Sequence, residues 1–207
     1  MRQLCIFELE CALIVFLLVI MPLNVPNLLT WLRILLIPLV VTVFYLPAGW
    51  LTEHEVNMIA TAMFVVAAIT DWLDGYLARM WNQTSAFGAF LDPVADKLMV
   101  AAALIVLVQL GRVDALIALI IIGREITISA LREWMASMGA SASVAVSMIG
   151  KLKTAAQMVA ISLLLFHEPL FGLDIQYIGT WLIWLASVLT VWSMIYYLRR
   201  ALPAVTH

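Results

Sequence analysis

The stretch Thr70-Asp71-Trp72-Leu73-Asp74-Gly75-Tyr76-Leu77-Ala78-Arg79, followed after eight further residues by Gly88-Ala89-Phe90-Leu91-Asp92-Pro93-Val94-Ala95-Asp96-Lys97, decides how the rest of the chain is read. It sets four carboxylates and two glycines in a sequence that is 65% hydrophobic and only 12% charged. As a pattern it is D-x-x-D-G-x-x-A-R and then G-x-x-x-D-x-x-x-D. On a helix, Asp71, Asp74, Gly75 and Ala78 fall at i, i+3, i+4 and i+7, one face. Gly88, Asp92 and Asp96 share a face of a second helix in the same way. A short turn between the two predicts antiparallel neighbours whose acidic faces can meet. Four ionised carboxylates so close in low dielectric repel one another and require a countercharge. An all-oxygen donor set without His or Cys points to a hard divalent ion, Mg²⁺ or Mn²⁺. The bland alternative is that some of these carboxylates serve as helix caps or salt-bridge partners, but ionisable groups at membrane depth are costly and default to function.

Mean hydropathy is +1.08, and long apolar runs recur between short polar segments. The expected fold class is an all-α integral membrane protein, a six-transmembrane-helix bundle with an additional N-terminal hydrophobic segment. Net charge is -2 with no basic tail, which argues against nucleic acid as a partner. Cys5 and Cys11 match no metal or redox spacing and read as free thiols.

Residues 1–23 are read as an extension of doubtful function. Arg2, Glu8 and Glu10 precede an apolar run from Cys11 to Leu23 that is short of the about 20 residues a span requires, and no signal-cleavage pattern follows it. Met21 is a second possible start. From Asn24 the pattern is regular, and residues 24–200 are taken as one transmembrane domain with 201–207 as a C-terminal tail. Predicted helices run over Leu28–Leu46, Val56–Trp81, a third starting between Ser85 and Asp92 and ending before Gly111, then Val113–Met135, Val144–Phe166 and Gln176–Leu198. Pro93 either occupies the first turn of the third helix or kinks one begun at Ser85.

Arg33, Arg79, Lys97, Arg124, Arg132, Lys151, Lys153, Arg199 and Arg200 belong to one half of the bundle, with Arg112 alone on the other. The positive-inside rule then puts both ends of the six-helix body and the acidic motif on the cytoplasmic side. Trp31, Trp81, Trp134, Tyr196 and Tyr197 are expected in the aromatic belt there, and Tyr45, Trp50, Tyr177 and Trp181 in the other. His54, His167 and His207 are expected to be solvated.

Asp71 and Asp74 lie roughly two turns inside the end of their helix, the depth of a lipid phosphate that remains open to a soluble nucleotide. Gly75 and Ala78 leave room for a pyrophosphate near the backbone, or for close helix packing. Arg33 reads either as a snorkelling anchor or as a phosphate ligand. Arg124 and Arg132 are eight apart and can share a face. With Lys151 and Lys153 they suggest a pocket for a second anionic substrate. The alternatives pair the arginines with Glu125 and Glu133 and give the lysines to topology.

All eight fixed positions of the acidic pattern are those of the CDP-alcohol phosphotransferase family, which the sequence resembles. The resemblance extends from about Asn24 to about Tyr197. Pro26-Asn27-x-x-Thr30-x-x-Arg33, the Arg-Glu-Ile and Ala-Leu-Arg-Glu-Trp blocks, and Gly150-Lys151-x-Lys153-Thr154-x-Ala156-Gln157-Met158 are similar to its bacterial phosphatidylglycerophosphate synthase branch. The resemblance implies two Mg²⁺ or Mn²⁺ ions per active site. Asp71, Asp74 and Asp92 would hold one, and Asp71, Asp92 and Asp96 would share in the second, with Asp96 also the general base. It further implies that Thr30, Arg33, Gly75, Ala78, Arg79 and Gly88 bind the CDP-lipid and that Arg124, Arg132, Lys151 and Lys153 bind glycerol phosphate. The implied reaction joins CDP-diacylglycerol to sn-glycerol 3-phosphate, giving phosphatidylglycerophosphate and CMP, at the cytoplasmic face of a bacterial inner membrane in a multi-pass, homodimeric protein. Rival readings are a relative with another acceptor, an intramembrane prenyltransferase, and a carboxylate-lined transporter. The clustering of the aspartates at one membrane face argues against a through-path.

Overall fold

The computed structural model describes residues 25–47, 49–81, 86–137, 148–169 and 172–205. Among them are six helices and no strand of a sheet: α1 Val25–Val43, α2 Glu53–Trp81, α3 Ala86–Gln109, α4 Ala115–Ser137, α5 Met148–Phe166 and α6 Ile175–Val205. The expected extension over residues 1–23 lies outside the described residues.

The helix starts follow from local chemistry. α2 begins three residues before the expected Val56 because Thr52 and Glu55 form a capping box: the Glu55 N–H donates to Thr52 Oγ1 at 3.3 Å, and the Thr52 N–H donates to Glu55 Oε2 at 2.7 Å. Asp114 and Asp174 cap α4 and α6, accepting from the Leu116 and Tyr177 N–H groups at 2.8 and 3.1 Å. α1 carries Pro26 in its first turn and so starts before the expected Leu28. α3 starts at Ala86 and contains Pro93, so the proline lies within a helix rather than opening one. α6 continues through Val205, seven residues past the expected end at Leu198. After α3 the chain reverses at Gly111, whose φ of 68° places it in the left-handed region that suits glycine.

The buried core joins Phe64 and Ala67 of α2, Met99 to Leu107 of α3, Ile117 and Ile121 of α4, Ala160 to Leu165 of α5, and Ile183 of α6. The outer surface is apolar as well. Trp50, Trp72, Trp181, Trp192, Leu116 and Leu119 are each more than 60% exposed, the reverse of what water would tolerate over so much area. Two helices, over Glu53–Leu73 and Ile175–Tyr196, are long and apolar enough to cross a membrane, and Leu28–Val43 and Lys153–Phe166 are shorter apolar helical stretches. Trp134, Tyr196, Tyr45, Trp50, Tyr177 and Trp181 are exposed as a belt requires, but Trp31 is buried and cannot belong to one. Trp31 neighbours Thr30 in sequence, on the part of α1 that packs inward.

At the end of the bundle away from the acidic motif, Arg112 Nη1 donates to the carbonyls of Leu164 and Leu165 at 3.2 and 2.9 Å, and Nη2 donates to Asn57 Oδ1 at 2.9 Å. It ties the last turn of α5 to α2. His167 follows in the left-handed region at φ 59°. Contrary to expectation it is partly buried, and burial, with the Arg112 guanidinium nearby, lowers its pKa from the ordinary histidine value. His54 is exposed and meets Glu168 at 2.6 Å.

α5 and α6 make an extensive helix pair, and Gly179 sets their approach. A Cβ there would lie 2.9 Å from Leu164 Cγ and 3.3 Å from Leu163 Cβ, and Leu164 is fully buried and has nowhere to move. Small residues are the usual device for close helix contact in lipid. Gly179→Leu is therefore expected to cost about 1–3 kcal/mol through overpacking, read as a lowered Tm of the detergent-solubilised protein.

Candidate active site

α1 packs against both α2 and α3, which touch each other much less. The two acidic helices are bridged through it rather than pressed face to face. Arg33, fully buried, places Nη1 2.5 Å from Asp71 Oδ1 on α2. Thr30, one turn earlier on the same face, donates from Oγ1 to Asp92 Oδ1 on α3 at 2.6 Å. The spacing T-x-x-R thus serves both carboxylates from one strut. The cation is buried while Asp71 remains 39% exposed, so the carboxylate stays open on its other side.

That side is a cleft of about 740 Å³. Asp71 of α2 and Asp96 and Lys97 of α3 line one part, Arg124, Glu125, Ser129 and Arg132 of α4 another, and Thr154 and Gln157 of α5 close it. Asp92 does not line it but lies within electrostatic reach of Asp71, as does Asp96. A second hollow of about 780 Å³ runs along α6 between Tyr177, Trp181, Trp184 and Leu185. It is slightly larger, but its apolar, outward-facing walls carry no chemistry beyond Asp174 at one end.

The cationic side of the cleft is already organised. Glu125 Oε1 accepts from Arg124 Nη1 at 2.8 Å and from Lys153 Nζ at 2.7 Å. Arg124 Nη2 also donates to Ser193 Oγ of α6 at 3.2 Å. Lys153 is fully buried and Arg124 nearly so. A fully buried ammonium requires a partner, and one carboxylate serves two cations. Arg132, by contrast, is exposed and lines the cleft. Arg33, Arg124 and Lys153 thus belong to the interior of the protein and not to membrane-flanking loops, which weakens their weight in the charge asymmetry used for topology.

Asp74, Gly75, Ala78 and Arg79 stand on α2, Gly88 on α3 and Lys151 on α5, but their side chains lie outside the described residues. Among the described residues no three carboxylate, histidine or cysteine side chains converge as a metal site. Asp71 is engaged by Arg33 and Asp92 by Thr30, and Asp74 is outside that set. The donor chemistry nonetheless fits a hard cation. Asp71, Asp92 and Asp96 offer only oxygen, come from two helices, and gather where Arg33 now supplies the positive charge.

Sequence reading alone missed Lys97, Ser129 and Gln157 as cleft residues. Lys97 directly follows the last aspartate of the motif, and Gln157 sits in the Gly150–Met158 block, so position in a motif was the available signal. Gln157 is 2% exposed and its Oε1 has no hydrogen-bond partner among the described residues.

The helical bundle and its apolar exterior are those of a membrane-protein class, with a cleft lined by carboxylates and cations. The chain belongs to the CDP-alcohol phosphatidyltransferase family, whose model matches residues 23–192. It is 51% identical over 183 residues to the CDP-diacylglycerol–glycerol-3-phosphate 3-phosphatidyltransferases of Escherichia coli K12, Salmonella typhimurium and Shigella flexneri, spanning 87% of this chain and 96% of each of theirs. It is an enzyme of that family, in which divalent metal is generally required.

Proposed function

We propose that the cleft transfers a phosphatidyl group from CDP-diacylglycerol to sn-glycerol 3-phosphate, giving phosphatidylglycerophosphate and CMP. The observation that carries this reading is the meeting of Asp71 and Asp96 with Arg124 and Arg132 around one volume, which suits a nucleotide-lipid at the acidic side and a phosphorylated acceptor at the basic side. An acceptor hydroxyl oxygen bonds to the phosphorus that carries diacylglycerol, the bond from that phosphorus to the CMP oxygen breaks, and CMP departs. Asp96 takes the hydroxyl proton. Arg33 and Thr30 hold Asp71 and Asp92 in register, and Arg132 receives the acceptor phosphate. Asp71, Asp74, Asp92 and Asp96 are the residues for two Mg²⁺ or Mn²⁺ ions, which when bound neutralise phosphate charge. Gly75, Ala78, Arg79 and Gly88 belong to the CDP-lipid side, and Lys151 to the acceptor side.

All six helices are read as spans, α1 and α5 including inward-turned polar residues, Thr30 and Arg33 on the one and Lys153 and Gln157 on the other. The unit covers residues 24–200, works as a homodimer, and sits in a bacterial inner membrane with its cleft at the cytoplasmic face.

Purified protein given CDP-diacylglycerol is expected to release CMP when glycerol 3-phosphate is added, and to stop when EDTA removes divalent metal. Equal release with serine or inositol phosphate would reassign the acceptor. No release with any acceptor would favour a carboxylate-lined transporter.

A further inference from the structure

Lys97, Arg124 and Arg132 line the cleft, Lys153 adjoins it through Glu125 and Arg33 through Asp71, and these cations differ in what holds them. Arg124 and Lys153 are both committed to Glu125, so much of their charge is cancelled before any substrate arrives. Lys97 is different. Its Nζ donates to the hydroxyl of Ser129, a neutral group, and among the described residues it forms no ion pair. It is half-buried on α3, beside Asp96 in sequence, and opens on the same cleft. Ser129 lies one turn from Arg132 on α4, so the hydroxyl that holds the Lys97 ammonium brings it towards the Arg132 end of the cleft.

Resting on the reading above, we propose that Lys97 is a substrate-recognition residue for the acceptor: with Arg132 it binds the acceptor's phosphate, while Ser129 holds its ammonium in place between turnovers. The chemistry is that of a compact ammonium with three donors, one spent on a hydroxyl and two available to phosphate oxygens. Glu125 favours this division, since it engages Arg124 and Lys153, two of the four cations that a sequence reading assigns to the phosphate. An ammonium held by a neutral hydroxyl rather than in a direct ion pair keeps donors open to a dianionic phosphate. It also stands next to Asp96, so that the end of the acceptor it fixes determines which hydroxyl reaches that carboxylate.

Steady-state CMP release by the full-length protein, varied separately in glycerol 3-phosphate and in CDP-diacylglycerol, tests this. Lys97→Met is expected to raise the KM for glycerol 3-phosphate about ten- to a hundredfold, the loss of a hydrogen bond to a charged group, with the KM for CDP-diacylglycerol within about twofold. Lys97→Arg should recover most of the loss. The unchanged CDP-diacylglycerol KM is itself the check that the variant is folded. If Lys97→Met fails to fold, Ser129→Ala takes its place, with an expected severalfold rise in the same KM. An unchanged KM for glycerol 3-phosphate, or an equal rise in both KM values, overturns the role of Lys97. Absence of glycerol 3-phosphate-dependent release by the unmutated protein would instead overturn the acceptor assignment.

Discussion

Asp96→Asn is expected to lower kcat for CMP release by about 10²- to 10⁴-fold, the usual range for loss of a positioned general base, while CDP-diacylglycerol still binds. The side chain keeps its shape and one carbonyl oxygen but can no longer take a proton. Asp96 lines the cleft from the end of the acidic motif, within electrostatic reach of Asp71, Arg33, Lys97 and Glu125, so a neutral amide there leaves the surrounding charges in place. Two measurements separate its roles. If Asp96 served only to bind metal, raising Mg²⁺ or Mn²⁺ would restore the rate. If it takes the proton, the rate stays low at saturating metal and equilibrium binding of CDP-diacylglycerol is little altered. Turnover within tenfold of the unmutated protein would remove Asp96 from the base position.

How much of this was readable from the sequence depended on whether a feature is periodic or relational. The acidic motif and the apolar runs are periodic, and most ends of the helices containing them lie within a few residues of expectation; how the two acidic helices meet is relational, since α1 bridges them and they touch each other little. The misplaced boundaries came from chemistry in the flanks: the Thr52–Glu55 box extends α2, and Pro26 permits α1 to begin early. Trp31 was misassigned because an aromatic near a helix end looks the same in sequence whether it faces lipid or a neighbouring helix. Thr30 and Arg33 were singled out, yet their spacing does not say that one reaches α2 and the other α3. That needs the position of α1 between them. Glu125 was weighed as a partner for Arg124, but its simultaneous hold on Lys153 spans two helices and 28 positions, and no local pattern encodes it. Lys97 went unassigned for a related reason, because its significance lies in what its neighbours have already paired with.

That arrangement makes Glu125 the largest structural liability in the cleft. Glu125→Leu leaves Lys153, fully buried, and Arg124, nearly so, without their shared carboxylate. Breaking a buried pair from one side costs about 3–5 kcal/mol. The 25% exposure of Glu125 lets water screen part of the loss, which places the expected value near the lower end, about 3 kcal/mol. It should appear as a clear fall in Tm and a lower yield of monodisperse protein. The interaction is mutual, so removing the second partner should recover part of the loss. Lys153→Met in the Glu125→Leu background eliminates the stranded ammonium, and the double variant is expected to be more stable than Glu125→Leu alone. The coupling energy should exceed about 1 kcal/mol, within the range for residues that share a network. Arg124, still held by Ser193 at 3.2 Å, accounts for stability that the double variant does not regain. Strictly additive losses would mean that Glu125 and Lys153 act independently, and the division of charge that leaves Lys97 to the acceptor would lose its physical basis.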